Sequence, residues 1–245
     1  MNAAAGAGAC GSGQTAGQGG SLAAVFLDGV YEETAYYLGW SAVADLVVGA
    51  DGGARFLLAA GVVPHLVVGD FDSLSPAGVA ELEEAGVELV RHPVRKDRTD
   101  GELAVDEARD RGAREIVLAG ALGALDHTLG HLAVLRRLEA AGVTSRLVAP
   151  RLTGRVLIAP AAADLDAPAG TRVSLAPLGG DAVVSLRGLA YPLDHGTLPA
   201  DACLGLGNTV TARGAVAVHD GVVALLVETG TEAFGGSCTT WLPVA

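Results

Sequence analysis

The chain is short of positive charge and of lysine in particular. Its 16 Lys and Arg residues face 28 Asp and Glu, the formal net charge is -12 and the pI is near 4.8. Non-specific binding to nucleic acid needs a basic surface that displaces counterions, so this composition disfavours it. An anionic ligand would need a local basic patch or a metal ion. Cysteine is scarce too: Cys10, Cys203 and Cys238 lie far apart without a CxxC pair. That argues against a disulfide framework and a zinc site, and suits the reduced thiols of a cytoplasmic protein. No apolar run approaches the ~18 residues needed to cross a bilayer, so a soluble chain without a membrane partner is expected. Residues 1–20, MNAAAGAGACGSGQTAGQGG, have neither a basic start nor a continuous apolar stretch, and read as a flexible leader rather than a secretory signal.

What is present is apolar and patterned. Half of the 245 residues are hydrophobic, enough to bury one large domain or two modest ones. From Ser21 to about Pro150, short β-branched runs alternate with segments of helical periodicity. The predicted strands are Leu22 to Asp28, Ala44 to Ala50, His65 to Gly69, Val87 to His92, Glu115 to Gly120 and Ser145 to Pro150. Between them GGARFLLAAG, SPAGVAELEEAG, TDGELAVDEARDRG and DHTLGHLAVLRRLEAAG place apolar residues at helical spacing and end in glycine. Alternating strands and helices predict an α/β domain with a layered, mostly parallel sheet over 21–150, whose ligands bind beyond the carboxyl ends of the strands. After about Arg151 the helical pattern stops, and strand-like runs separated by Gly, Pro and Asp predict an all-β domain over 151–245.

Acidic residues recur at the strand ends. LVVGAD, ending at Asp51, and LVVGD, ending at Asp70, are near-copies that put a carboxylate on the same sheet edge. After Asp51, Gly52 and Gly53 open a helix, where bare N–H groups suit a phosphate and a tight turn explains the pair almost as well. After Asp70 comes Phe71 and then Asp72. Two acids around one residue repel each other unless a cation sits between them, and carboxylates are hard ligands of the kind Mg²⁺ takes. The plain alternative is an Asx turn leading to a helix capped at Ser73 or Ser75.

In KDRTDGE, Asp97 and Asp100 are three apart and Thr99 and Glu102 suit a capped helix start. Lys96 and Arg98 interleaved with them look like a site for both metal and phosphate. In GALGALDHTLGHL, Asp126 opens another helix at the same edge. His127 and His131 lack the HExxH pattern or accompanying cysteines of a metal site, so Asp126 is the stronger candidate. Together these turns describe a site for a magnesium nucleotide. The P-loop, the dinucleotide GxGxxG after the first strand and the GxSxG elbow are all absent.

In order, ADGGA, GDFDS, KDRTDGE and DHTLGHL closely resemble the thiamine pyrophosphokinase family, over nearly the whole chain from Leu22. The resemblance implies an α/β catalytic domain, a C-terminal β-sandwich that binds thiamine and dimerises, and a homodimer with sites between subunits. It implies transfer of pyrophosphate from ATP to the thiamine hydroxyl, giving thiamine diphosphate and AMP. Asp70, Asp72 and Asp100 would bind Mg²⁺, and Asp97 or Asp100 could accept the hydroxyl proton. Asp51, Gly52, Gly53, Lys96, Arg98, Thr99, Asp126 and His127 would meet ATP. Tyr191, in GLAYPL, would stack on the cationic vitamin or else pack at a sandwich edge. Gly207 and Asn208, in LGLGNTV, would touch thiamine or form a turn.

The chain departs from the family at two places. Gly123 to His127 is one residue shorter than the family's GGRxDH and lacks its arginine, and Gly207 replaces a usual serine. The competing expectations are a pyrophosphokinase for another alcohol, such as a pterin, and a non-catalytic binding protein of the same fold.

Overall fold

The computed structural model describes residues 21–93 and 97–228, so Lys96, Cys10, Cys238 and the leader lie outside the described residues. The chain begins with β1 (Leu22–Phe26), α1 (Thr34–Val43), β2 (Leu46–Ala50), α2 (Gly52–Ala59) and β3 (Leu66–Gly69). It continues through α3 (Pro76–Glu84), β4 (Glu88–Arg91), α4 (Asp100–Asp110), β5 (Glu115–Ala119), α5 (Leu125–Ala140) and β6 (Thr144–Ala149). The predicted strands and helices of this half are all present, with ends moved by a residue or two.

Helix α1 has no counterpart in the sequence reading. Its N-cap residue Glu33 makes no side-chain capping bond and its first turn holds no acid. It carries none of the usual start signals, and burial of Tyr37 and Trp40 holds it in place.

Strands β1 to β6 pair in parallel in the order β4-β3-β2-β1-β5-β6. The chain winds outward from β1 to β4 and then returns to β5 on the other side of β1. The crevice beyond the carboxyl ends of β1 and β5 is therefore the topological switch point, where open α/β sheets bind ligands. One face of the sheet packs Leu66, Val68 and Leu118 against α4 and α5, including Leu135 of α5. The other packs Phe26, Val117 and Leu57 with Tyr37 and Trp40. Burial on both faces is why these strands read as continuous apolar runs.

The second half is all strand among the described residues: β7 (Leu152–Ile158), β8 (Ala161–Leu165), β9 (Arg172–Pro177), β10 (Ala182–Leu189), β11 (Leu193–Leu198), β12 (Asn208–Asp220) and β13 (Val222–Glu228). They close around their own core of residues such as Leu157, Leu175, Leu186 and Leu225. They do not form a separate sheet. Strand β7 pairs antiparallel with β6 across the turn at Pro150 and Arg151, and the ladder runs on through β13, β9, β12, β10 and β11. Without β7, β6 would present an open edge to solvent.

No helix of the described residues is long and apolar enough to cross a membrane. The layering makes a contrast testable by thermal or urea unfolding. Leu118→Ala, in a fully buried position of β5, should cost about 2–5 kcal/mol. Leu125→Ala, where the side chain is 73% exposed, should stay within about 0.5 kcal/mol.

Candidate active site

Three neighbouring parallel strands each run out into an aspartate. Asp28 follows β1 by one residue beyond Leu27, Asp51 follows β2, and Asp70 follows β3. The register pairs Ala50 with Val68, so Asp51 and Asp70 emerge side by side. One ligand oxygen from each of Asp51, Asp70 and Asp72 can be chosen so that all lie within 4.8 Å of one another. The sequence reading assigned Asp51 to the nucleotide and did not place it in a metal cluster. Its signal was the repeated strand-Gly-acid pattern, which already put both acids on one edge.

The local backbone is bent to make this cluster. Asp70 Oδ1 accepts a bond of 3.0 Å from the Asp72 amide. The Asx turn that offered a plain explanation is thus the device that folds Asp72 back beside Asp70. Between them Phe71 takes a positive φ of 67° and buries its ring with Val67, Leu74 and Leu82. The Arg91 guanidinium lies 4.5 Å from the centroid of that ring. Asp51 has a φ of 45°. Among described non-glycine residues only Asp51, Phe71 and His195 have positive φ, and two of these three belong to this cluster. Each such residue costs of order 1–3 kcal/mol, and such strain concentrates where function requires it.

Hydrogen bonds leave part of the cluster unsatisfied. Ser73 Oγ donates to Asp51 Oδ2 over 2.7 Å, while Asp51 Oδ1 is buried and has no hydrogen-bond partner. A buried carboxylate oxygen without a donor is costly, and a bound cation would relieve it. Asp100 closes the site from another direction. A Cβ on Gly69 would lie 3.2 Å from Asp100 Oδ1 and 3.5 Å from the Asp51 Cβ. The bare glycine lets the start of α4 come up against β3.

That helix start is a full capping box. The Glu102 amide donates to Thr99 Oγ1 over 3.2 Å, and the Thr99 amide donates to Glu102 Oε2 over 3.0 Å. Ser75 caps α3 from one side only, accepting from the Gly78 amide, with Pro76 at the first helical position. Gly52 and Gly53 serve packing: a Cβ on Gly53 would sit 1.9 Å from the Phe26 carbonyl oxygen, and one on Gly52 2.0 Å from Asp28 Oδ1. Tyr31, which the sequence reading did not single out, ties the ends of β1 and β5 at the switch point. Its hydroxyl lies 2.6 Å from the Leu27 carbonyl and 3.3 Å from that of Ala119.

Two adjoining cavities open here. The inner one, about 290 Å³, is lined by Asp28, Asp51, Asp70, Arg98, Asp100 and neighbours. The outer one, about 430 Å³, is lined by Glu102, Asp126, Val134, Arg137 and neighbours. Thr99, His127 and His131 line both. Asp72 stands at the exposed side of the acid cluster, and Asp97 is exposed and lines neither cavity. Asp126 Oδ1 accepts from the His127 amide over 2.9 Å within the first turn of α5.

His131 Nδ1 lies 2.7 Å from the Ala121 carbonyl oxygen, which can only accept, so Nδ1 carries the proton. Burial pushes the His131 pKa down, against the opposing effect of that backbone bond and with a smaller contribution from His127.

The vitamin-site candidates lie in the β half. Asn208 is buried and fully engaged: its Oδ1 accepts from the Tyr191 and Thr209 amides and its Nδ2 donates 2.8 Å to the Tyr191 carbonyl. It fastens the loop that holds Tyr191, whose side chain is 73% exposed. Gly207 has a φ of +73° and its amide donates to Ser174 Oγ. None of these residues lines either cavity.

The result is an acidic crevice beyond the carboxyl ends of β1, β2 and β3, with Arg98 at its wall. Comparison with known proteins shows what this chain is similar to. The profile of the family "Thiamin pyrophosphokinase, catalytic domain" matches residues 39–146. The thiamine pyrophosphokinase of Bacillus subtilis (strain 168) is 29% identical over 189 residues, covering 75% of this chain and 87% of that protein.

The crystal structure of thiamine pyrophosphokinase from B. subtilis superposes with a TM-score of 0.74 at 24% identity, covering 85% of this chain and 99% of that one. The thiamin pyrophosphokinase of Geobacillus thermodenitrificans gives 0.70 at 26% identity, covering 89% and 100%. The names of these relatives are those of the family that the four motifs resemble.

The His131 geometry has a pH consequence. Its folded-state pKa lies below its unfolded value near 6.5, so the unfolded chain binds the proton more readily and stability falls as pH drops through that range. Melting temperatures at pH 7.5 and 5.0 should show wild type losing more stability than His131→Gln on acidification. Parallel losses in the two proteins would contradict the assignment.

Proposed function

We propose that the inner crevice transfers the pyrophosphoryl group of ATP to the hydroxyl of thiamine, giving thiamine diphosphate and AMP. The observation that carries the reading is the convergence of Asp51, Asp70 and Asp72 within 4.8 Å, with one buried Asp51 oxygen left without a donor. The family likeness supplies the substrates.

An all-carboxylate donor set fits Mg²⁺, a hard cation that takes one or two carboxylates and substrate phosphates. Asp51, Asp70 and Asp72 would hold it, with Asp100 beside them. Held there, such an ion would neutralise charge on the phosphate oxygens. The protein's own part is to line up the thiamine oxygen with the β-phosphorus. As that oxygen bonds to phosphorus, the bond to the bridging oxygen of the α-phosphate breaks and AMP leaves with it. The hydroxyl proton passes to a carboxylate. Asp100 is better placed than Asp97 for this, because it lines the inner cavity and touches the cluster edge. Thr99, by capping α4, fixes where Asp100 stands.

Tyr191 would stack on the thiazolium or pyrimidine ring of the vitamin. It stands in the β half, outside both cavities, so a complete site is built when a second copy brings its 188–193 and 204–210 loops to the crevice of the first. This supports a homodimer with sites at the subunit interface. The division of labour then follows the two halves: 21–150 for ATP and metal, 151–245 for thiamine and dimerisation. A cytoplasmic location suits the substrates and the free, exposed Cys203. The presence of GLAYPL and LGLGN favours thiamine over another alcohol such as a pterin, and the complete acid cluster favours an enzyme over a binder.

Asp72→Asn should lower turnover at least a hundredfold while leaving the melting temperature within a few degrees, measured by coupled AMP and thiamine diphosphate formation. Wild-type turnover in the folded variant would remove the metal assignment. Tyr191→Ala should raise the KM for thiamine about tenfold and leave that for ATP unchanged. Equal thiamine constants would leave Tyr191 a surface residue.

A further inference from the structure

We infer that Asp106 is a positioning residue for the nucleotide: its carboxylate holds Arg98 and Arg137 on the walls of the two joined cavities, where their guanidiniums receive phosphate oxygens. The inference rests on the ATP reading above and adds two residues, Asp106 and Arg137, that neither the motifs nor the acid cluster include.

Asp106 sits inside α4 with its side chain only 15% exposed. Its Oδ2 accepts from Arg98 Nη2, and its Oδ1 accepts from Arg137 Nη1 over 2.7 Å. Arg109 Nη1 approaches Oδ1 at 3.5 Å, but that guanidinium is already paired with Asp110 at 2.9 Å. Burial works to raise the Asp106 pKa, and the bonds from Arg98 and Arg137 outweigh it and hold the carboxyl below its ordinary range. It is a fixed anion.

One carboxylate shared by two arginines leaves a cation in excess: two positive charges against one negative give a net +1. A closed structural ion pair would be balanced. Each guanidinium also keeps donors in hand, because it has five N–H groups in a rigid fork and Asp106 takes only one edge. Arg137 Nη2 is buried with no hydrogen-bond partner. Beyond Asp106, Arg98 Nη2 lies 3.4 Å from the Glu102 carbonyl, its one other hydrogen bond among the described residues.

Their placement matches the need. Arg98 lines the inner cavity beside Asp70 and Asp100, and Arg137 lines the outer one. The loop that precedes α5, Gly120 to Ala124, has no basic residue. Arg137 lies more than three turns further along that helix and brings positive charge to the outer cavity. Arginine suits the task, since its planar fork matches phosphate geometry.

The test is Asp106→Asn in the full-length protein, which keeps the shape and removes the charge. The KM for ATP should rise about tenfold, the thiamine KM should stay within twofold, and calorimetry should show inorganic tripolyphosphate binding weakened by a similar factor. A merely structural carboxylate would lower the melting temperature and leave both phosphate readouts unchanged in the folded fraction, and that result would overturn the inference. Arg137→Gln provides the second arm should Asp106→Asn fold poorly. It leaves the Arg98–Asp106 pair in place and should again weaken ATP and tripolyphosphate without affecting thiamine; unchanged values would overturn the inference. A wild-type protein that makes no thiamine diphosphate, yet binds tripolyphosphate in an Asp106-dependent way, would remove the reaction and support this inference.

Discussion

Like charges held close together at one sheet edge are the constraint on which the rest of this architecture depends. Carboxylate oxygens within 4.8 Å repel by about 1 kcal/mol per pair in water and by several at the lower effective dielectric of a protein surface. A chain left to itself would splay them apart. Here the parallel register fixes Asp51 and Asp70 on adjacent strands, and the Asx turn draws Asp72 inward. The buried ring of Phe71 anchors that turn in the core formed with α3, so the hydrophobic interior supplies the force that keeps the acids together.

The same logic explains the backbone around the cluster. The bare Gly69 admits Asp100, and the capping box at Thr99 and Glu102 sets the height at which α4 begins. Tyr31 ties the ends of β1 and β5, so the switch point is closed by a bond as well as by packing. Positive charge is managed as tightly as negative charge. In a chain with a formal charge of -12, Arg98 and Arg137 are held by Asp106, a carboxylate outside the acid cluster, which keeps them from collapsing onto Asp51, Asp70 and Asp72.

Much of this was legible in the sequence because local patterns carried it. The alternation of apolar runs and helical periods foretold β1 to β6 with α2 to α5, and the Ser75 and Thr99 caps were readable from side-chain chemistry and spacing. Helix α1 was not, since tertiary burial of Tyr37 and Trp40 replaces any start signal. The placement of Asp51 and Asp70 at strand ends was half visible as a repeated strand-acid pattern, but that of Asp28 beside them needed the strand order. Contacts such as Arg137 to Asp106 span 31 positions, and no local pattern announces them. The change to an all-β half was clear from composition. Its fusion into the same ladder was not, because hydrogen bonds between β6 and β7 leave no mark on residue type.

That fusion limits how the molecule can be divided or rearranged. Two halves joined by a flexible linker can be swapped, separated or hinged. Here the joint is a run of backbone hydrogen bonds closed by a turn of two residues, Pro150 and Arg151. Separating β7 would bare the edge of β6 at Leu147, Val148 and Ala149, whose freed N–H and C=O groups would recruit an extended chain within reach. The two halves therefore share one ladder, and parting them requires breaking its hydrogen bonds.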